Sequence, residues 1–234
     1  MRQKQVYFIA GTDTEVGKTF SSCVLLKAAE IQGMRTMALK PVAAGAEELR
    51  LASGKSQLQN DDAQALLKAM SVKLPYEQVN PIVLKTPASP HIAAAIESKH
   101  FQANRIAGYC RGALMTPADF VLIEGAGGWR VPINTSETMA DLAKQLGYKV
   151  ILVVGLRLGC LNHAFLTAEA IRRDGLELAG WVGNAIHATE MAFQKENIAT
   201  LVSGLGAPCL GILPHDESCE WEELASHISL DLLN

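Results

Sequence analysis

The run VYFIAGTDTEVGKTF at residues 6–20 places a short apolar segment directly before a glycine-containing loop and a helix-like pattern. The apolar residues 6–10 predict a buried strand, and residues 19–32 predict a helix. Between them, Gly11 and Gly17 allow the backbone to wrap closely around an anion, while free amides at the helix start point toward it. The sequence therefore predicts a strand, a phosphate-binding loop and a helix in succession.

Two residues at the end of this loop give the prediction its chemistry. Lys18 would contact the β- and γ-phosphates of a nucleotide, and the hydroxyl of Thr19 would ligate Mg²⁺. The loop has five residues between its glycines, whereas the usual motif has four. An alternative is a glycine turn followed by a Lys that happens to begin a helix. The strand before the loop and the helix after it favour Mg·ATP binding.

Strands alternate with helices along the rest of the chain. Continuous apolar runs predict strands over residues 36–39, 120–123, 149–154, 178–182 and 209–213. Further helices are predicted over residues 61–70, 90–96, 104–115, 138–146, 161–173, 189–202 and 220–233.

The segments between these elements and the form of the apolar runs complete the prediction of the fold. Residues 43–60 predict a mobile loop, and residues 74–90, which contain four prolines, predict an extended and irregular segment. Because the strand runs are continuous rather than alternating, they predict a mostly parallel central sheet with helices on both faces. The fold class is thus α/β and P-loop NTPase-like, with a single domain over residues 1–234.

Composition argues against several classes of protein. The net charge of −3 and the pI near 6.1 give no reason to expect nucleic acid or an anionic membrane as a partner. No apolar stretch approaches the ~20 residues of a membrane span. The cysteines are odd in number, lack a C-x-x-C pair, and favour a reduced, cytoplasmic protein; they are Cys23, Cys110, Cys160, Cys209 and Cys219.

Other chemically active residues follow the predicted strands, at the edge where parallel α/β sheets bind ligands. Glu124 fits a metal-directed carboxylate, although a strand-end acid in water above a Gly-rich turn is the alternative. Gly125 and Gly127 could form a second anion nest beside it. Lys40 would supply a second cation, although a solvated surface Lys is the alternative. Asp62 would add a second oxygen ligand for Mg²⁺, although an acid favoured by the helix dipole is the alternative.

Two further segments lie at the same predicted edge. Residues 155–163 join a strand to a helix whose first amides suit a carboxylate or phosphate. In that segment Cys160 and His163 are too few for a zinc site, and a buried structural Cys is favoured. Asn184 could hydrogen-bond a purine edge, or it could be only a turn residue after Gly183.

Together these segments resemble the dethiobiotin synthetases. The matching segments are GTDTEVGKT at 11–19, KPVA at 40–43, NPIV at 80–83, SPHIAA at 89–94, VLIEGAGGW at 121–129, VILVVGLRLGCLNH at 150–163 and LAGWVGN at 178–184. The resemblance covers essentially the whole chain, and the combination is far more specific than a P-loop alone.

The resemblance implies an ATP-dependent ring closure in biotin biosynthesis. The enzymes of this family convert 7,8-diaminononanoate, CO2 and ATP to dethiobiotin, ADP and phosphate through a carbamate and a carbamic–phosphoric anhydride. By resemblance the catalytic residues are Lys18, Lys40 and Thr14, and the metal ligands are Thr19, Asp62 and Glu124. The residues implied for nucleotide binding are Glu15, Val16, Gly17, Lys18, Thr19, Phe20, Glu124, Gly125, Gly127, Asn184 and Pro214.

The resemblance also implies a homodimer with a shared site. The residues implied for the substrate are Thr14, Lys40, Leu158, Gly159, Cys160 and Asn162. Among them, the loop 158–162 of one subunit would bind the substrate carboxylate in the other subunit's site. One departure is Ala44, where some relatives have a Ser; the missing hydroxyl predicts an affinity loss of about 1 kcal/mol.

Rival functions fit the residues less well. Regulatory ATPases of the partitioning and septum-placement type carry an extra Lys early in the loop, whereas residues 12–16 contain none. They often end in a basic amphipathic helix, whereas residues 220–234 are acidic. A GTPase switch lacks its N-K-x-D and D-x-x-G motifs here. Amidotransferase-type cobyrinate synthetases need a glutaminase domain for which the chain has no room, and a non-enzymatic scaffold would not use Lys18, Lys40 and Glu124 at three strand ends.

Overall fold

A computed structural model describes residues 3–50, 54, 56–216, 218 and 220–233 of the chain. In chain order its strands are β1 (Gln5–Gly11), β2 (Thr36–Leu39), β3 (Val42–Ala43), β4 (Glu47–Arg50), β5 (Ser56–Gln59), β6 (Ile82–Val83), β7 (Phe120–Gly128), β8 (Lys149–Gly155), β9 (Leu178–Asn184) and β10 (Cys209–Leu213). Its α-helices are α1 (Lys18–Ile31), α2 (Asp61–Ala69), α3 (Tyr76–Val79), α4 (Pro90–Ile96), α5 (Ala103–Ala113), α6 (Met139–Leu146), α7 (Cys160–Arg173), α8 (Gln194–Gly204) and α9 (Trp221–Leu224). Cys219, one of the cysteines counted in the sequence analysis, lies outside the described residues.

The central sheet confirms the predicted α/β fold. In the described part of the chain it has six strands in the order β10–β9–β8–β1–β7–β2, and every neighbouring pair is parallel. The order reverses at β1, which lies between β8 and β7. All carboxyl ends of the strands therefore lie along one edge, where the order reversal opens a crevice for a ligand.

Alternate residues of the strands face two separate apolar cores. Phe8 and Ala10 of β1 belong to the core built with α5, α6 and α7. Tyr7 and Ile9 of the same strand belong to the core built with α1, α2 and α9. Each fully buried side chain such as that of Phe8 stabilises the fold by about 2 kcal/mol. Because both faces are covered, the strands are apolar throughout, which confirms the prediction of helices on both sides.

The prediction of a mobile loop over residues 43–60 is wrong. Strands β4 and β5 form an antiparallel hairpin in which Glu47 pairs with Gln59 and Arg50 with Ser56. All four residues of β4 are exposed, so no apolar alternation marks the strand in the sequence. The hairpin pairs two mostly polar strands, which apolar periodicity does not detect. Residues 51–53 and 55 of the predicted loop lie outside the described residues.

Residues 74–90 are less irregular than predicted. Pro75 directly precedes the single-turn helix α3. Proline has no backbone N–H, and none is needed at the start of a helix, where the first amides have no partner within the helix. Strand β6 then pairs in parallel with β3, with Val42 opposite Ile82. The prolines thus delimit short elements rather than preventing them.

The predicted closing helix over residues 220–233 is also wrong. Only α9 is α-helical there, and two 3₁₀ turns follow at Ala225–His227 and Leu230–Leu232. Ile228 forms an antiparallel bridge with Gly211 of β10, and the Ser229 amide donates to the Leu210 carbonyl. Pairing with the edge strand of the sheet interrupts the helix that the sequence pattern favours.

Smaller differences concern the ends of elements. Strand β7 continues through Gly128 and β9 through Asn184, so the predicted strand-end residues Glu124 and Asn184 belong to the strands themselves. Helix α8 begins at Gln194, after the predicted start at residue 189. None of the helices described here combines the length and the apolarity that a membrane span requires. One domain over residues 1–234 stays a prediction.

Candidate active site

The predicted phosphate-binding loop joins β1 to α1 as the sequence indicated. The Thr12 amide donates to the Val153 carbonyl of β8 at 3.0 Å, which fixes the start of the loop against the sheet. Gly17 has φ +81°, and a Cβ there would overlap the Nδ2 atom of Asn184. Only glycine fits this position, because both the backbone conformation and the available space exclude a side chain.

Lys18 is the first residue of α1 and is almost completely buried, with 7% of its surface exposed. Its Nζ donates to the Asp13 carbonyl at 2.9 Å, so the side chain folds back over the loop. Burial lowers the pKa of Lys18 to about 8, and the nearby Lys40 contributes in the same direction, against the acids around it. Lys18 is therefore a cation whose charge has little solvent to stabilise it, and an arriving polyphosphate would supply the missing counter-charge.

Glu124 of β7 is the centre of the polar groups beneath the loop. Its side chain is completely buried. The Oε1 atom accepts hydrogen bonds from Thr19 Oγ1 at 2.7 Å and Lys40 Nζ at 2.6 Å. The Oε2 atom accepts one from Ser22 Oγ at 3.0 Å. A buried carboxylate is expensive unless it is paired and hydrogen-bonded, and these three donors meet that requirement.

Lys40, which follows β2, bridges two carboxylates. Its Nζ lies 2.6 Å from Glu124 Oε1 and 2.8 Å from Asp62 Oδ2, and only 4% of the residue is exposed. The alternative of a solvated surface Lys is therefore wrong. Burial opposes the charge of Lys40, but Glu124 and Asp62 outweigh it and raise the pKa of this Lys. Partial burial likewise opposes ionisation of Asp62, but Lys40 lowers the pKa of this carboxyl.

A buried hydrogen-bond chain connects the segments that carry Lys40 and Asp62. Asn80 Nδ2 donates to the Lys40 carbonyl at 2.7 Å, and Tyr76 OH donates to Asn80 Oδ1 at 2.8 Å. The same Tyr76 oxygen accepts the Asn60 amide at 2.8 Å. Asn60 in turn caps α2, accepting from the Asp62 amide at 3.1 Å. This chain fixes the end of β2 relative to the start of α2.

A cavity of about 720 Å³ opens above these groups. Most of the predicted site residues line it. From the loop and α1 these are Thr14, Glu15, Gly17, Lys18, Thr19 and Phe20; from other elements they are Lys40, Asp62, Glu124 and Gly127. Ala44, the position that departs from some relatives, also lines the cavity. The sequence thus located one continuous site from residues far apart in the chain.

Two of the residues predicted for the nucleotide are buried beside this cavity and do not line it. Val16 is buried with 1% of its surface exposed. A Cβ at Gly125 would meet Phe8 and Met139 at 3.1–3.2 Å. Gly125 is therefore required for packing between β7 and its neighbours.

Asn184 ends β9 and pairs with Leu213, the last residue of β10, which Pro214 directly follows. Asn184 is buried, and its Nδ2 donates to the Val16 carbonyl at 3.1 Å. Its Oδ1 has no hydrogen-bond partner in the described part of the chain. The reading of Asn184 as only a turn residue is wrong, because it supports the phosphate-binding loop and keeps an acceptor available. Pro214 is exposed.

The predicted substrate residues at the start of α7 lie outside the cavity of the same chain. Leu158 is 92% exposed, and Gly159 and Asn162 are also exposed. Cys160 is buried with 2% of its surface exposed, in agreement with the structural Cys favoured from the sequence. The loop that carries these residues is joined to the phosphate-binding loop by an ion pair, in which Arg157 Nη2 lies 2.7 Å from Asp13 Oδ2.

Two residues of the site were not predicted from the sequence. Ser22 donates to Glu124, and Asn60 both caps α2 and lines the cavity. A signal existed for each. Ser22 lies one helical turn after Thr19 and therefore on the same face of α1, and an Asn directly before an acidic helix start is a typical N-cap.

The oxygen atoms around Lys40 have the chemistry of a hard-cation site. The oxygens of Glu124 and Asp62 converge on one ammonium group, which occupies a cation-sized position between them. Within the described ranges, no three His, Cys, Asp or Glu side chains cluster as metal ligands. A metal at this point therefore needs the hydroxyl of Thr19 beside the two carboxylates, a donor set that suits Mg²⁺.

Comparison with known proteins agrees with this site. Residues 5–223 match a family model described as an AAA domain. The chain is 50% identical over 227 residues to the ATP-dependent dethiobiotin synthetase BioD of Cellvibrio japonicus (strain Ueda107), which covers 97% of this chain and 96% of that protein. The chain belongs to the dethiobiotin synthetase family. This membership makes it an ATP-dependent ligase and confirms the resemblance predicted from its motifs.

Another member supports the same assignment. The BioD of Marinobacter nauticus (strain ATCC 700491 / DSM 11845 / VT8) is 48% identical over 226 residues, which cover 97% of this chain and 94% of that protein. Coverage near full length on both sides means that family membership extends to the segments that build the cavity.

Solved structures with low sequence identity show the fold alone. The septum site-determining protein MinD complexed with Mg-ADP from Pyrococcus horikoshii OT3 has a TM-score of 0.56 at 17% identity, covering 98% of this chain and 89% of that chain. The chloroplast FtsY of Physcomitrella patens has a TM-score of 0.56 at 15% identity, and this chain spans 66% of its length. These likenesses confirm the predicted P-loop NTPase-like architecture.

Proposed function

We propose that this chain closes the ureido ring of dethiobiotin from 7,8-diaminononanoate, CO2 and ATP. One observation carries the proposal: the buried residues Lys18, Lys40 and Glu124 line one cavity, together with the half-exposed carboxylate of Asp62. Such a site concentrates cations where a triphosphate and a carbamate, both anionic, must approach each other.

The bond changes follow from the substrates. One amine of the diamine attacks CO2, forming a C–N bond and losing a proton to give a carbamate. A carbamate oxygen attacks the γ-phosphorus, and ADP leaves. The second amine then attacks the carbonyl carbon of the mixed anhydride and loses a proton, and the C–O bond to phosphate breaks, so that phosphate leaves as the ring closes.

The nucleotide would lie along the loop and the first turn of α1. Glu15 to Phe20 supply the backbone amides and the Lys18 ammonium for the phosphates, and the start of α1 adds its dipole. The unpartnered Oδ1 of Asn184 supports an adenine at the end of β9, because it can accept a hydrogen bond from the exocyclic amine. Pro214 would line the same pocket from β10.

Thr19, Asp62 and Glu124 would hold Mg²⁺, in the region where the Lys40 ammonium now stands between the two carboxylates. When bound, Mg²⁺ would withdraw charge from the phosphate oxygens as a Lewis acid. Lys40 would then be released from the carboxylates to neutralise charge on the carbamate. Thr14, which also lines the cavity, would orient the substrate beside the nucleotide.

The substrate carboxylate would be bound by a second copy of the chain. The amides of residues 158–162 lie at the start of α7 and do not line the cavity of their own chain, while Leu158 and Asn162 are exposed. A homodimer that places this loop over the partner's cavity would complete the site. The cytoplasmic location stays a prediction.

The decisive experiment is turnover of the purified full chain. We would supply MgATP, bicarbonate and 7,8-diaminononanoate, and follow phosphate release together with the mass of the product. Phosphate release that requires the diamine, with a product of the mass of dethiobiotin, is expected. ATP hydrolysis that ignores the diamine would contradict the proposal and favour a switch-type ATPase.

A further inference from the structure

Among the described residues, Ser22 of α1 is the side chain that hydrogen-bonds to Glu124 without being a predicted metal ligand or a predicted catalytic residue. Its side chain is fully buried, and its Oγ donates to Glu124 Oε2 at 3.0 Å. The other carboxylate oxygen, Oε1, accepts from both Thr19 and Lys40. The two oxygens of the Glu124 carboxylate therefore accept hydrogen bonds from different groups.

The position of Ser22 on the helix explains this division. Thr19 and Ser22 are three residues apart, so their hydroxyls lie on the same face of α1, one turn from each other. Each hydroxyl holds one oxygen of Glu124. The terminal torsion of a Glu side chain has broad minima, so the carboxylate plane is set by its hydrogen bonds and not by its rotamer.

We propose that Ser22 is a positioning residue that orients the Glu124 carboxylate for the cation site. It acts by occupying Oε2, which leaves Oε1 directed at Thr19 and Lys40. This inference rests on the proposed Mg²⁺ site. Groups that orient metal ligands typically change metal affinity or activity by about 10–100-fold when they are removed.

The chain contains a matched control in the neighbouring residue. Ser21 is also fully buried on α1, but within the described part of the chain its Oγ has no hydrogen-bond partner. Ser21→Ala and Ser22→Ala remove the same atom from the same buried helix. They differ in whether that atom contacts Glu124.

The test is ADP binding to the full-length chain by calorimetry, with Mg²⁺ titrated and with Mg²⁺ removed by EDTA. For Ser22→Ala we expect the Mg²⁺ concentration that gives half-maximal tightening of ADP binding to rise about 10-fold or more. ADP affinity without Mg²⁺ should stay within about twofold of the wild type, as should both values for Ser21→Ala. For Ser22→Cys, whose thiol is a weak donor, the Mg²⁺ concentration for half-maximal tightening should lie between those of the wild type and Ser22→Ala.

Three results would overturn the inference. The first is that Ser22→Ala matches Ser21→Ala in the Mg²⁺ dependence of ADP binding. The second is that Ser22→Ala weakens ADP binding equally with and without Mg²⁺. The third is that Ser22→Cys needs more Mg²⁺ for half-maximal tightening than Ser22→Ala does. Thermal melting of each variant checks that the fold is intact. Failure of the proposed function is distinguishable, because the wild type itself would then lack diamine-dependent phosphate release.

Discussion

The Lys40 ammonium lies 2.6 Å from Glu124 Oε1, and the two side chains are 5% and 0% exposed. Strands β2 and β7 are neighbours in the sheet, so this ion pair links the end of β2 to the middle of β7 under the cavity. Asp62 completes the arrangement from α2 at 2.8 Å. The same ammonium thus stabilises the site without a metal and stands where the metal is proposed to bind.

Replacement of this Lys should affect both stability and catalysis. In Lys40→Met the Glu124 charge stays buried with only hydroxyl donors, so the free energy of unfolding should fall by about 3 kcal/mol without Mg²⁺. Turnover should fall by about 10²–10³-fold, because a cation at the reacting groups is lost. Urea unfolding with and without MgADP, and kcat, measure these effects.

A surface Lys provides the control for this prediction. Lys149 at the start of β8 pairs with Glu177, and the two side chains are 43% and 60% exposed. Lys149→Met should change the free energy of unfolding by about 0.5 kcal/mol or less. Equal effects of the two substitutions would contradict a special role for the buried pair. MgADP should restore part of the stability in Lys40→Met, because metal ligation would neutralise Glu124.

Gly17→Ala should weaken nucleotide binding through a clash with Asn184. Gly17 and Gly33 both have positive φ, +81° and +76°, so an Ala costs about 1 kcal/mol of backbone strain at either position. A Cβ at Gly17 overlaps Asn184, whereas among the described residues nothing lies within 4 Å of a Cβ at Gly33. ADP calorimetry should show a loss of at least about 10-fold for Gly17→Ala and an unchanged affinity for Gly33→Ala. Similar losses in both variants would point to backbone strain as the cause.

The sequence predicted the central sheet well because its strands carry a strong signal. Strands buried on both faces are continuous apolar runs, and β2 and β10 have the predicted bounds. The hairpin of β4 and β5 was missed because β4 is exposed, β5 is mostly half-buried, and both strands are mostly polar, so neither carries an apolar pattern. The C-terminal helix was overpredicted because Ile228 bridges to Gly211, a contact between distant residues that periodicity cannot show.

The site was predictable to the extent that its residues are marked by local motifs. The loop before α1, and residues after strands such as Lys40, could be placed at the carboxyl edge by topology alone. What the sequence could not give was the pairing of Lys40 with both carboxylates. It also could not give the chain from Asn60 through Tyr76 to Asn80, since these contacts depend on how β2, α2 and α3 pack in three dimensions.

Tyr76→Phe should remove hydrogen bonds that support the site without leaving a cavity, because only the phenol oxygen is lost. The phenol oxygen accepts the Asn60 amide and donates to Asn80, so its removal leaves two buried polar groups without their partner. We expect a loss of about 2 kcal/mol in the free energy of unfolding and a lower kcat, because Lys40 and Asp62 lose a common support. Tyr109→Phe is the control, since Tyr109 is 40% exposed and its oxygen contacts Arg105 on the surface. An unchanged kcat in Tyr76→Phe would show that the hydrogen bonds from Asn60 through Tyr76 to Asn80 stabilise the fold but do not position the site.

Glu97 should make the wall of the cavity sensitive to acid. Its Oε1 accepts the Thr86 amide at 2.9 Å, and the segment that follows Thr86 lines the cavity through residues 87–90. Partial burial alone would raise the pKa of Glu97, but the Thr86 hydrogen bond and the Lys99 ammonium outweigh it and lower the pKa to about 2. A lowered pKa in the folded state means that ionised Glu97 stabilises the fold above about pH 4.5. That contribution is lost as the pH falls from there toward 2.

Glu97→Gln tests this dependence, because the amide oxygen can still accept from Thr86 but carries no charge. At pH 7 the variant should be less stable by about 1 kcal/mol, the difference between a charged and a neutral hydrogen bond. As the pH falls from 5 to 3, the difference from the wild type should shrink, since the wild-type carboxylate loses part of its advantage in this range and the rest nearer pH 2. Urea unfolding across this range measures the difference, with Glu48→Gln on the exposed strand β4 as the control. A gap between wild type and Glu97→Gln that stays constant down to pH 3 would show that the charge of Glu97 does not anchor the Thr86 segment.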